Sequence, residues 1–378
     1  MPSKLFQGFF NSEKAGGIVL VCCTLLSLLL ANSPWQGSYL DFWGTHVGSH
    51  SVEHWVNDGL MAIFFLSVGL ELKREIYVGE LSNPKNAVLP LFGALGGMLV
   101  PAGLFLALNL GRATQPGAGI PMATDIAFAV GILSLLGSRV PTGLKVFLTA
   151  LAVIDDLGAI VVIAVFYTGS LSLPNLGIAL VIWGILFILN TLKVKNLLPY
   201  LLGGVGMWYF MLHSGIHATL AGVLLAFAIP FGKGEEKSPS YVLQSLLHKP
   251  VAFVVMPLFA LANTGIAIAP GWYTHLADWG SVGILVGLVL GKPLGIGLFA
   301  AVAVALGWAS LPTDLKWKQL LGVGCLAGIG FTMSIFITLL AFDDAVLINQ
   351  AKMAILVASL SSGIVGYIWL SRTLDKAA

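Results

Sequence analysis

The sequence predicts an all-α polytopic membrane protein with about twelve transmembrane helices. Of its 378 residues, 57% are hydrophobic and only 10% are charged, whereas an ordinary soluble domain carries roughly 25% charged residues. The mean hydropathy is +0.93, and the apolar residues form long runs without the alternation of a barrel strand. These observations exclude a soluble protein. A net charge of only +2 also argues against a nucleic-acid-binding protein, which would carry a basic stripe.

Each of twelve apolar runs is long enough for a membrane helix, which needs about 20 residues because it rises ~1.5 Å per residue across ~30 Å of hydrocarbon. The runs lie at about 15–31, 55–72, 87–108, 120–137, 143–168, 175–192, 197–213, 215–231, 249–269, 281–306, 319–342 and 347–371. The connections at 137–143 and 213–215 are so short that the helices they join must be antiparallel neighbours. No connection is long enough for a further domain, so we expect one transmembrane domain over 1–378.

The basic residues indicate how these helices are oriented, because cytoplasmic loops are enriched in Lys and Arg. With twelve spans, Arg112 alone falls on one side of the membrane, and Lys292 and Lys352 lie within spans. The remaining sixteen of the 19 basic residues fall on the other side, so both termini are expected in the cytoplasm. The first run follows Lys4 and Lys14 as in a signal peptide, but we expect a retained helix because eleven more spans follow.

The polar connection 33–54 has Gly48 and Ser49 at the centre of its segment 45–52. This pattern fits a small β-hairpin on the outer face or an irregular loop, and both interpretations stay open.

The three cysteines, Cys22, Cys23 and Cys325, all lie inside apolar runs and lack the spacing of a metal site or disulfide framework. The sequence also lacks a P-loop, an HExxH motif and a paired-histidine haem motif. We therefore expect neither an enzyme nor a cofactor.

Four ionisable residues lie deep in predicted spans, where each costs ~2.5–3.5 kcal/mol on insertion scales. Asp125 lies in the fourth span, Asp155 and Asp156 in the fifth, and Lys292 in the tenth. Successive residues of a helix point ~100° apart, so Asp155 and Asp156 cannot both face one partner. We expect one carboxylate to pair with the lysine and the other to face a cavity. Three acids against one base leave a negative surplus that favours a proton or a small cation.

Mutually exclusive occupancy of these groups by a proton or a hard monovalent cation would drive exchange across the membrane. The alternative is a buried ion pair that only holds helices together. An intramembrane aspartyl protease would also place acids on separate spans, but the Gly-x-Gly-Asp pattern is missing and Lys292 would have no role. A sodium-coupled symporter would need a second site that no motif supplies, and a passive channel would not need titratable groups.

Two predicted spans contain helix-breaking residues. The fourth has Pro121 before Thr124 and Asp125. The eleventh contains Gly322, Gly324, Gly328 and Gly330, followed by Thr332 and Ser334. Unwound backbone here would offer carbonyl and hydroxyl oxygens to an ion, although glycine is also common where membrane helices pack closely. Breaks in corresponding positions predict inverted repeats of spans 3–5 and 10–12, with broken helices 4 and 11 crossing at the ion site.

Seven segments combine in this chain: VGLELKRE at 68–75, PMATDIAFAVG at 121–131, LGSRVP at 136–141, IDDLGA at 154–159, SGIHATLAG at 214–222, GKPLGI at 291–296 and GIGFTMS at 328–334. Together they closely resemble the bacterial NhaA sodium/proton antiporters, over about residues 8–370. Inverted repeats are a known property of that family, so this part of the expected fold is not independent of the resemblance.

The resemblance implies a twelve-helix homodimer in the bacterial inner membrane. Its core repeats would lie at about 87–168 and 281–371, and its interface part at about 15–80 and 175–269. It implies electrogenic export of Na⁺ or Li⁺ for a larger number of protons, activated as the cytoplasm becomes alkaline, for sodium and pH homeostasis. The expected partners are these ions, membrane lipid and a second copy of the chain, without nucleic acid.

By the same resemblance, Asp155 and Asp156 are the essential carboxylates that hold Na⁺ or Li⁺, with Asp156 the primary ligand. Lys292 pairs with Asp155 and releases its proton during the cycle, or has a purely structural role. Thr124 and Asp125 contribute to the site and offset the charge of the helix ends.

Other residues resemble those of the family's pH response. His217 is one of them, and a metal site with His213 is not expected because Ser214 and Gly215 lie between them at a predicted turn. The others are Glu71, Lys73, Arg74 and Glu75. Gln244 stands where the family pattern carries a glutamate, so the resemblance does not fix the activation pH.

Overall fold

The computed structural model describes residues 13–232, 235, 237–268 and 270–374. Lys4, Lys233 and Lys376, and the side chain of Lys14, all counted in the predicted orientation, lie outside the described residues. The described chain is nearly all helical, which confirms the predicted fold class. Its helices are α1 Glu13–Ala31, α2 Gln36–Gly44, α3 Val52–Tyr77, α4 Pro84–Asn109, α5 Ile126–Leu135, α6 Thr142–Phe166, α7 Leu173–Thr191, α8 Leu198–Leu212, α9 Leu220–Ala228, α10 Pro239–Asn263, α11 Trp279–Ala305, α12 Trp317–Ala327, α13 Phe331–Ala341 and α14 Ala345–Thr373.

Each predicted span overlaps one of these helices or a bent pair of them. Within the described residues, eight helices are long and apolar enough to cross a membrane, and up to ten if each bent pair counts as one span. The runs 197–213 and 215–231 form only the 15-residue α8 and the nine-residue α9. The count of twelve therefore stays a prediction, while a polytopic membrane protein is confirmed.

Local chemistry accounts for where several helices begin. The side chain of Asn83 accepts a hydrogen bond from the Lys85 N–H (3.1 Å) and precedes Pro84 at the first position of α4. Asp344 caps α14 by accepting from the Val346 N–H (2.7 Å). Such caps satisfy N–H groups that the first helical turn leaves without partners.

The connection 33–54 contains more structure than expected, because α2 occupies Gln36–Gly44 at an angle of 114° to α1. Strands β1 His46–Val47 and β2 His50–Ser51 pair antiparallel, with His46 opposite Ser51. Gly48 takes the positive φ of +71° that the turn requires. Of the two interpretations left open, the structure shows the β-hairpin.

Two segments of the fold each consist of a long helix, an interrupted helix and another long helix. In the first, α4 is followed by a 3₁₀ helix at Gln115–Met122, an extended stretch at 123–125 and α5, and then by α6. In the second, α11 is followed by α12 and α13, bent by 47° around residues 328–330, and then by α14. The two interruptions touch, since the Asp125 N–H donates to the Ile329 carbonyl at 2.6 Å.

Helices α4 and α11 pack backbone against backbone. A Cβ added at Gly96 would lie 2.1 Å from the Gly295 carbonyl oxygen, and one added at Gly295 would lie 2.1 Å from the Gly96 carbonyl oxygen. Only glycine permits this approach at both positions. Because Lys292 lies about one turn from Gly295, the contact holds that lysine against the middle of the molecule.

Candidate ion-binding site

Five polar side chains from three segments of the chain meet where the interrupted helices touch. They are Thr124 and Asp125 from the first interruption, Asp155 and Asp156 from the middle of α6, and Lys292 from α11. Each is at most 4% exposed. The structure thus brings together the five side chains that the sequence predicts for ion and proton binding.

Lys292, Thr124 and Asp155 form one hydrogen-bonded group. Lys292 Nζ donates to Asp155 Oδ2 at 2.6 Å and to Thr124 Oγ1 at 2.8 Å. Thr124 Oγ1 lies 2.7 Å from Asp155 Oδ2 and 2.9 Å from the Ala327 carbonyl oxygen, either of which can accept its single proton. Within the described residues, Asp155 Oδ1 has no hydrogen-bond partner.

Asp125 is held by the ends of two helices. Its Oδ1 accepts from the Phe128 N–H (3.1 Å) as the N-cap of α5, and its Oδ2 accepts from the Thr332 N–H (3.1 Å) at the start of α13. The Thr332 hydroxyl also donates to Oδ2. A carboxylate placed at two helix N-termini offsets the partial positive charge of both.

Asp156 differs from the other two carboxylates because no hydrogen bond or ion pair within the described residues involves it. It lines a cavity of about 370 Å³ that also reaches Asp125 and Thr124. From there the cavity extends past Glu71 to His248 and Lys249. Asp155 and Lys292 are not among the residues that line this cavity. The Lys292 charge is therefore matched by Asp155, and Asp156 faces the open space.

Thr332 and Ser334 both tie the second interruption to the first. Ser334 Oγ donates to the Ile120 carbonyl at 2.7 Å. The predicted glycines are places of close approach: a Cβ at Gly328 would lie 2.3 Å from the Leu288 carbonyl oxygen, and one at Gly330 would lie 2.1 Å from Ser334 Oγ.

Sequence reasoning predicted unwound backbone at Gly328 and Gly330 but did not identify which carbonyls complete the site. The carbonyls of Ala327 and Ile329 face Thr124 and Asp125, and a π-helical turn at Gly287–Gly291 immediately precedes Lys292. The run of glycines before Thr332 was the available signal for the carbonyls. The π turn had no such signal.

His217 lies in the turn between α8 and α9, away from the five-residue cluster. Its Nε2 is 2.7 Å from the Tyr167 carbonyl oxygen. The Tyr167 hydroxyl donates to the Pro116 carbonyl (2.6 Å) and accepts from the Gly119 N–H (3.3 Å), both in the first interrupted helix. His217 is therefore joined through Tyr167 to the first interrupted helix.

The four charged residues at the end of α3 have three different environments. Lys73 is buried, and its Nζ donates to the carbonyls of Ala226 (3.2 Å), Phe227 (3.0 Å) and Ile229 at the C-terminal end of α9. Arg74 lies 3.1 Å from Glu75 and 3.8 Å from Glu71. Of these residues, Glu71 alone lines the cavity of Asp156. Gln244 lies half-buried on α10.

The chain is similar to known proteins along nearly its whole length. A family model described as Na⁺/H⁺ antiporter 1 matches residues 7–370. A Flavobacterium psychrophilum protein named Na(+)/H(+) antiporter NhaA is 63% identical over 372 residues, covering 98% of this chain and 97% of that protein. A Dechloromonas aromatica protein of the same name is 61% identical over 373 residues, covering 98% and 96%.

Among solved structures, the sodium proton antiporter MjNhaP1 from Methanocaldococcus jannaschii at pH 8 matches with a TM-score of 0.55. The match covers 97% of this chain and 98% of that one. At 15% sequence identity, this likeness concerns the fold alone.

Proposed function

The chain belongs to the Na⁺/H⁺ antiporter 1 family, as a multi-pass membrane Na⁺/H⁺ antiporter of the NhaA type, and we propose that it exports Na⁺ or Li⁺ for a larger number of protons. The observation that carries this proposal is that two adjacent carboxylates have different environments. Asp156 faces the cavity and has no hydrogen-bond or ion-pair partner in the described part of the chain, whereas Asp155 is bound to Lys292.

In the proposed cycle, Asp156 is the primary ligand of Na⁺ or Li⁺, and a proton competes with the cation for the same carboxylate. Hydroxyl and carbonyl oxygens of the interruptions are suitable further ligands, since hard cations prefer oxygen. When a cation draws Asp155 towards it, Lys292 loses its partner and releases a proton. Asp156 and Lys292 each release one proton, so two protons are exchanged for one cation. This unequal charge movement makes the exchange electrogenic.

The touching interruptions support an inverted-repeat architecture for this exchange. We propose that spans 3–5 and 10–12 form the core repeats at about 87–168 and 281–371. Asp125 keeps the two helix N-termini at the crossing neutral while the core moves. The parts at about 15–80 and 175–269 would form the static interface of a homodimer.

We assign activation at alkaline pH to the charged and titratable groups at the end of α3 and in the turn between α8 and α9. Glu71 shares the cavity with Asp156, and Arg74 lies between Glu71 and Glu75. Lys73 fastens α3 to the end of α9, and His217 fastens α9's turn to Tyr167. A change in charge on these residues would alter access to the site. With the basic loops in the cytoplasm, the cavity opens on the cytoplasmic side of the bacterial inner membrane.

A ΔpH dye in everted vesicles tests the proposal directly. NaCl, LiCl or KCl is added between about pH 6.5 and 8.5 to vesicles with wild type, Asp156→Asn, or Asp41→Asn, a matched change at an exposed residue of α2. We expect Na⁺ and Li⁺ to move protons increasingly at alkaline pH, with loss in Asp156→Asn only. Folded protein that moves no protons upon addition of either ion would contradict antiport.

A further inference from the structure

An apolar groove of about 770 Å³ lies between α1, α5 and α14, and Gly17 lines both this groove and the cavity of Asp156. The lining includes Ile18, Leu25, Ile132, Leu360 and Ile364. Ile18, Leu25, Leu360 and Ile364 are each at least 50% exposed. The groove therefore opens sideways, towards the lipid that surrounds a membrane protein.

Polar side chains are few in this lining: Thr24 and Ser359 already make hydrogen bonds, and Tyr367 lies next to Ile368 at one end. Thr24 Oγ1 donates to the Leu20 carbonyl at 2.8 Å within its own helix. Ser359 Oγ accepts from the Phe331 N–H at 3.1 Å. The groove thus fits a hydrocarbon chain and disfavours a polar solute.

The length of the groove matches one leaflet of a bilayer. Along α1 it runs from Gly17 to Leu28, and along α14 from Leu356 to Ile368, which is ~17–18 Å at 1.5 Å per residue. Half of the hydrocarbon core measures ~15 Å. One acyl chain of a phospholipid would fill this length.

Two arginines lie just beyond one end of the groove. Arg372 follows the lining residue Ile368 by one helical turn, and Arg139 follows the lining residue Leu135 by four residues. Arg372 is exposed and Arg139 is half-buried, and both lie on the side of the membrane that carries most of the basic residues. A phosphate at the head of the acyl chain would lie at this end, and arginine is well suited to bind it.

We propose that this groove binds an anionic phospholipid of the cytoplasmic leaflet, with one acyl chain between α1, α5 and α14 and the phosphate at Arg139 and Arg372. The bound chain contacts Phe128 and Phe331, whose rings pack edge to face at 5.0 Å. These residues adjoin the backbone that holds Asp125. The lipid therefore packs against residues that adjoin the ion site. Its binding does not depend on the direction or stoichiometry of exchange.

Native mass spectrometry of delipidated protein tests this site with dioleoylphosphatidylglycerol and, as a neutral comparison, dioleoylphosphatidylcholine. We expect wild type to retain one phosphatidylglycerol in preference to phosphatidylcholine. Arg139→Gln and Arg372→Gln should each weaken phosphatidylglycerol binding about fivefold. Lys195→Gln, at an exposed lysine between α7 and α8, should have no effect. Equal retention of the two lipids, unchanged in both arginine variants, would overturn the headgroup assignment.

A second pair of variants tests the acyl chain. A side chain at Gly131 would enter the groove, since a Cβ there meets nothing within 4 Å. Gly131→Leu should abolish retention of the lipid, whereas Gly103→Leu, at an equally open position on α4, should not. If Gly131→Leu does not fold, Ile18→Phe fills the groove from α1. Wild-type retention by a folded filling variant would show that the chain lies elsewhere.

Discussion

Asp155 and Asp156 are neighbours in the chain but have opposite environments: Asp155 Oδ2 lies 2.6 Å from Lys292 Nζ, and Asp156 faces the cavity. The α-helix causes this difference, because successive side chains point ~100° apart. Lys292 compensates the buried negative charge of Asp155. The carboxylate of Asp156 remains available to an exchangeable ion. This arrangement and the packing that holds it determine how the protein should respond to pH, to voltage and to mutation.

The first prediction concerns the pH dependence of cation affinity. A proton and Na⁺ compete for Asp156, so the apparent KM for Na⁺ should fall as pH rises until the carboxylate stays deprotonated. In the limit of one competing proton, the slope is about tenfold per pH unit. The ΔpH assay measures this KM between about pH 6.5 and 8.5. A KM that does not change with pH, at constant maximal rate, would contradict competition.

The second prediction concerns the buried ion pair. Lys292→Gln leaves Asp155 in a buried site without its counter-charge, which should lower the free energy of unfolding by about 3–5 kcal/mol. The double variant Asp155→Asn/Lys292→Gln should recover most of this loss, since no unpaired charge remains. Titration with sodium dodecyl sulfate in mixed micelles measures the difference. Equal stability of the single and double variants would show that the pair is not coupled.

The same lysine gives a third prediction, on coupling to voltage. If Lys292 carries a proton, Lys292→Gln should exchange ions without responding to membrane potential. Proteoliposomes with a potassium gradient and valinomycin measure the effect of an imposed potential on Na⁺ flux. Lys145→Gln removes a lysine in the first turn of α6 and serves as the control. A retained voltage response in Lys292→Gln would make the lysine a structural partner of Asp155.

Sequence reasoning found the side chains of this site and the spans in which the backbone unwinds, but not which carbonyls face the side chains. Asp125, Asp155, Asp156 and Lys292 are detectable because charged residues are costly in a membrane and so stand out in apolar runs. The Ala327 carbonyl next to Thr124 is a main-chain group on an apolar residue, and residue type does not reveal it. Hydropathy likewise finds apolar runs but not helix lengths, which tertiary packing sets. This is why 215–231 contains only a nine-residue helix.

The fourth prediction concerns Thr332, which joins the two interruptions through Asp125. Thr332→Val removes the hydroxyl donor to Asp125 Oδ2 but keeps the backbone donor and the side-chain shape. Loss of a hydrogen bond to a charged group should cost about 1.5–3 kcal/mol of stability. Thr332→Ser should be nearly neutral because it keeps the donor. The same micelle titration measures both variants, and equal losses in both would point to packing rather than hydrogen bonding.

The fifth prediction concerns the glycine contact that positions Lys292. A methyl group at residue 96 would lie 2.1 Å from the Gly295 carbonyl oxygen, so Gly96→Ala must push α4 and α11 apart. Overpacking of this kind costs about 1–3 kcal/mol, and separation would lengthen the reach from Lys292 to Asp155. We therefore expect both a lower melting temperature and weaker transport. Gly103→Ala is the matched control on the same helix, since its Cβ meets nothing within 4 Å and alanine favours helix by about 1 kcal/mol. If both variants melt like wild type, α4 and α11 do not pack as closely as their glycines require, and another contact must hold Lys292 in place.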